Sequence, residues 1–66
     1  MLTPRQQQVA EMAAMKVPNK EIAQRLGISV KTVEAHLDQV ARTLPGNGSP
    51  RRKATLWFFN VQDEAA

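Results

Sequence analysis

The side chains with most to offer chemically gather between Lys20 and Gln39, and again at Arg51-Arg52-Lys53. The first group holds the chain's one histidine, His36, with no serine, cysteine or paired carboxylate at a spacing that would make it a catalytic base. Cysteine is absent, which excludes disulfides and thiolate zinc sites, and a lone histidine lacks clustered co-ligands. The chain is therefore read as no enzyme, without metal or cofactor. What these residues can do is bind anions. Nine Lys and Arg oppose six Asp and Glu, a net +3, and with Asp63 and Glu64 set apart the preceding residues carry +5. That balance favours a polyanionic partner, nucleic acid or an acidic membrane surface. No apolar run approaches a membrane span and no signal-peptide core opens the chain. The expectation is no membrane partner and residence in the cytoplasm, where the chain is made.

Sixty-six residues allow one domain, residues 1–66, which buries only about 60% of its unfolded surface. The patterning predicts an all-α domain of four helices. Thr3-Pro4-Arg5-Gln6 reads as a capping box with proline at the first helical position, opening a helix from Pro4 to Met15. Pro18 stops its continuation, and Asn19 is read as the cap of a short helix, Lys20–Leu26, ended by Gly27. Ser29 caps the third, whose stripe Val33, Leu37, Val40 and Leu44 falls on one face. Its opposite face holds Lys31, Thr32, Ala35, His36 and Gln39, with Glu34, Asp38 and Arg42 around the edges. After the Pro45–Gly48 loop, Ser49-Pro50 repeats the cap-plus-proline start of a helix through roughly 63.

Two of these helices form a constellation. Ala23 is small enough for a close crossing, Gly27 suits a positive-φ turn, and Val33 plugs the crossing from the following helix. Residues 19–44 thus read as a helix-turn-helix, with a polar outer face on residues 30–44. The start of that helix aims amide donors and positive dipole at an anion. Lys31 and Thr32 stand in its first turn, and His36, one turn on, can donate to a phosphate oxygen.

Leu2-Thr3-Pro4-Arg5, the run from Pro18 through Ser29 (PNKEIAQRLGIS) and Lys31-Thr32-Val33-Glu34-Ala35-His36-Leu37 together resemble the LuxR-type (GerE, FixJ, NarL-like) DNA-binding domain. The likeness covers residues 2–44 closely and 49–61 loosely. It implies a regulator of transcription that binds double-stranded DNA, with the third helix in the major groove and the fourth serving dimerisation. It also implies Glu34, Ala35 and Asp38 as base-reading positions, Ala35 against a thymine methyl and Glu34 accepting from cytosine N4. NarL-like members carry lysines where this chain has Glu34 and Asp38. A carboxylate among phosphates is repelled, so Asp38 reads instead as a solvated acid or ion-pair partner. Lys16 stands where the family usually has glycine, Gln6 and Gln8 replace glutamates, and the Pro45–Gly48 loop is longer.

The DNA-binding set is therefore Lys20, Lys31, Thr32, Glu34, Ala35, His36, Gln39, Arg51 and Arg52. The last two belong to a basic run at a helix start, a position the dipole disfavours unless an anion docks there. On helix four, Ala54, Trp57, Phe58 and Val61 share one face, while Leu56 and Phe59 lie opposite. A terminal helix on so small a domain buries one face in its own core. Leu56 and Phe59 are thus read as a homodimer seam, with RNA polymerase or another regulator as further partners. Two other readings are a sigma-factor-like promoter-binding region, opposed by His36 and the fourth helix, and a protein-binding modulator that pairs with another regulator and inhibits it.

Overall fold

The computed structural model describes residues 1–65, with side-chain surroundings given through Asn60. Four helices follow in order, α1 (Pro4–Ala14), α2 (Asn19–Leu26), α3 (Val30–Thr43) and α4 (Pro50–Ala65), and no strand occurs among the described residues. The all-α expectation holds.

Each boundary has a local cause. The Thr3 hydroxyl accepts from the Gln6 N–H and the Gln6 side chain accepts from the Thr3 N–H, both at 3.1 Å, a reciprocal capping box. The first helix ends one residue earlier than expected, and not at Pro18. Lys16 takes a left-handed backbone (φ 65), its N–H donates to the Ala13 carbonyl, and the Val17 N–H reaches back to Met12. That is the Schellman arrangement, and Met12 and Val17 both pack against the core beside it.

The start of α2 corrects a second expectation. Pro18 occupies the cap position without a side-chain hydrogen bond, and Asn19 is the first helical residue. Its amide oxygen does not turn back on the helix but accepts from Arg51 at 2.7 Å. A charged donor outcompetes a backbone N–H for that oxygen. Gly27 (φ 68) closes α2, and the Ser29 hydroxyl accepts from the Thr32 N–H at 3.1 Å to open α3. Ser49 does the same for α4 through the Arg52 N–H.

The helices close on one core drawn from all four: Val9, Ala10 and Ala13 of α1, Ile22 and Ala23 of α2, Val33, Leu37 and Val40 of α3, and Ala54 of α4. α4 lies chiefly along α1, whereas α2 touches α1 little and is held mainly by α3. Ala10, Ala13, Ala23 and Ala54 belong to this core, and α3 is the helix that joins α2 to the α1–α4 pair. Trp57 packs on this core from α4, and the Val61 side chain, expected beside it, lies outside the described residues.

Candidate nucleic-acid interface

The core side of α3 is fixed by Val33, Leu37 and Val40, all buried, which leaves the rest of its circumference to solvent. At 100° per residue the outer surface resolves into three rows along the i, i+4 ridges. Val30, Glu34, Asp38 and Arg42 make one, Lys31, Ala35 and Gln39 the middle one, and Thr32 and His36 the third. All are exposed except His36, which is half-buried where the third row meets the body of the domain. Asp38 and Arg42 are both open to solvent in the row beside the middle one. Val30, 40% exposed, was missed altogether. It sits three residues before Val33 and so continues the apolar stripe, but in the first turn no element covers it.

The open end of α3 is arranged for an anion. Ser29 satisfies the Thr32 N–H and bonds the Thr32 hydroxyl at 2.9 Å, so that hydroxyl is already oriented. Lys31 beside it makes no salt bridge among the described residues, nor does Lys20 at the start of α2. The ion pair found among the described residues, Arg25–Glu21 at 3.1 Å, joins the first and last turns of α2 and leaves the α3 surface alone. Cations free of carboxylates next to the first-turn amides that the Ser29 cap leaves open favour phosphate oxygens.

The basic run of α4 divides into two kinds of side chain. Arg51 donates to the Val17 carbonyl at 2.6 Å and to Asn19, and Lys53 donates to the Ala41 carbonyl at 2.8 Å. Both are half-buried, and both turn toward the domain. Arg52 alone of the three is exposed and makes no side-chain hydrogen bond among the described residues. The structure thus brings Lys20, Lys31, Thr32, Glu34, Ala35, His36 and Gln39 onto α2 and α3 surfaces open to a ligand. Arg51 is instead committed to contacts within the chain.

A four-helix body presenting such a helix-turn-helix has a counterpart among known families. The family model GerE, bacterial regulatory proteins of the luxR family, matches residues 1–48. The chain belongs to this family. As a LuxR-family domain it is a DNA-binding helix-turn-helix of transcription regulation. The match takes in α1, α2 and α3 with every α3 residue named above, and stops short of α4. No curated protein and no solved structure matches the chain.

α4 carries the second surface. Ala54 is fully buried, while Leu56 and Phe59 are 51% and 53% exposed, and Phe58 meets Phe59 edge-on with ring centres 5.6 Å apart. Of the face expected to meet the core, Ala54 and Trp57 do so, while Phe58 is half-buried against Phe59 and is not among the residues packed on the core. No helix among the described residues is long and apolar enough to cross a membrane, and no group of residues there could hold a metal ion.

Proposed function

We propose that this LuxR-family domain binds duplex DNA sequence-specifically, with α3 in the major groove, as a homodimer joined through α4. The observation that carries the reading is the three-rowed polar face of α3, opening on a Ser29-capped N-terminus with an unpaired lysine. Lys20, Lys31, Thr32 and His36 serve as phosphate contacts and set register, while Glu34, Ala35 and Gln39 face base edges. Ala35 suits a thymine methyl and Glu34 a cytosine amine. Arg52 adds a peripheral phosphate contact. The domain measures 32 Å along its longest axis, in scale with half-sites about 34 Å apart, one turn of DNA. Such a dimer works in the cytoplasm, alongside RNA polymerase or another regulator, and needs no enzymatic step.

Selecting bound sequences from a random duplex pool, followed by fluorescence anisotropy across a salt series, tests this. Affinity should fall with a log–log slope of about −0.9 per phosphate contacted. Lys31→Ala should weaken binding to all duplexes alike and shallow that slope by about one contact. Affinity that stays flat from low to moderate salt would remove the electrostatic basis of the reading. A second reading draws on Glu34 and Asp38, two exposed acids in one row without a partner among the described residues. They would suit a modulator that binds another regulator, and size-exclusion chromatography without DNA separates that case.

A further inference from the structure

Each of the half-buried cations of α4 answers a defect in the helix-turn-helix backbone. The Ala41 carbonyl, near the end of α3, would ordinarily accept from the N–H of residue 45, but that residue is Pro45 and has none. The Lys53 ammonium supplies the missing donor at 2.8 Å, with a longer 3.5 Å approach to the Leu44 carbonyl. At the other end Asn19 caps nothing, and its amide oxygen together with the Val17 carbonyl receives the Arg51 guanidinium. Residues 19 and 44 are the two limits of the helix-turn-helix. One turn of α4 therefore grips both.

We propose that Arg51 and Lys53 are positioning residues, holding the two ends of the helix-turn-helix against α4 and so setting the attitude in which α3 meets DNA. This rests on the DNA-binding reading above, though its structural half does not. Half-burying two cations is unfavourable unless their donors are satisfied, and here the satisfying oxygens belong to the segments whose placement matters. Arg52, between them, provides an internal contrast. It is exposed, its stem lies over Gly48 so closely that a Cβ there would come within 2.6 Å of its Cδ, and its charge is free.

The test uses the full chain with the selected duplex, at a temperature where circular dichroism shows each variant folded. R51M, N19A and K53M should each weaken binding roughly 3- to 20-fold while the salt slope stays at its wild-type value. The R51M/N19A double variant should bind no worse than R51M alone, because R51M already removes the Arg51–Asn19 contact that N19A breaks. R52Q should instead shallow the slope by about 0.9. Wild-type affinity in folded R51M and K53M, or a slope reduced by one contact in R51M with N19A neutral, overturns the proposal. Should R51M fail to fold, N19A and K53M carry the same two outcomes. If the wild-type chain binds no duplex, the functional reading fails separately, and hydrogen exchange decides the clasp. The Ile22 amide should then exchange faster in N19A and the Leu44 amide in K53M, and unchanged protection at both would sink it.

Discussion

Lys16 and Gly27 adopt nearly the same left-handed backbone, at φ 65 and φ 68, each just past the end of a helix. Only glycine reaches that region without a Cβ clash against the following carbonyl, a strain of roughly 1–2 kcal/mol for other residues. The two positions therefore make opposite predictions. Gly27→Ala should destabilise the domain by about that amount, through the backbone alone, since a Cβ at Gly27 meets nothing within 4 Å. Lys16→Gly should stabilise it by about 1 kcal/mol, less whatever entropy glycine returns to the unfolded chain. In a domain this small 1 kcal/mol moves the midpoint by about 4–8 °C, so thermal melts resolve both. A lower midpoint for Lys16→Gly would mean that the lysine side chain contributes more than its backbone costs. Gly27 was legible from the residues because glycine after an apolar periodic stretch marks a helix end. Lys16 was not, because lysine is a good helix former. The one sequence pointer was its place where the family usually has glycine; the Schellman bonds and the Met12–Val17 pair beside it show why the chain turns there.

At the scale of elements, what was readable was whatever depends on neighbours in sequence. The Thr3, Ser29 and Ser49 caps and the Gly27 stop act over three or four residues, and the structure has them as expected. Of the expected stripe, Val33, Leu37 and Val40 are buried on α3, whereas Leu44 packs on the core from an extended C-cap just past Thr43, where α3 ends one residue short of expectation. The Asn19 cap failed because its competitor, Arg51, lies 32 residues away, and no local pattern announces a contact that only tertiary packing creates. The same holds for Lys53, whose role depends on a proline at the end of another helix. Ala23 tests the crossing that joins the two readable helices. It is 5% exposed, in the core with Val33 and Leu37. Ala23→Val should cost about 1–3 kcal/mol by overpacking, seen as a lower melting midpoint. DNA affinity measured on the remaining folded protein should change far less, since Ala23 lies in the core and not on the exposed face of α3. An unaltered midpoint would mean that α2 and α3 do not pack closely at that residue.

For the molecule as a whole, the question is what α4 does with two apolar faces. The core it joins is built largely from valine and alanine, with no buried polar or charged residue among those described, and can offer α4 only one side. Ala54 and Trp57 take that side, Trp57 also lining a shallow hollow with Leu2, Gln7, Thr43 and Leu44. Leu56 and Phe59 are left half-exposed on the other, and covering a phenylalanine is worth roughly 1.5–3 kcal/mol. A second copy meeting the same patch across a twofold axis would bury both leucines and both phenylalanines in one event. Phe59→Lys should accordingly give a folded monomer with wild-type melting at dilution, weaker binding to paired half-sites and little change at a single one. Trp57→Ala should lower the melting midpoint even where no dimer remains, by about 2 kcal/mol or more for an aromatic removed from a packed site. Sedimentation velocity and circular dichroism on both variants read the two effects separately. Unfolding by Phe59→Lys with simple dissociation by Trp57→Ala would reverse the assignment of the faces. An unchanged sedimentation coefficient in both would remove α4 as the seam and leave the pairing of half-sites to some other surface.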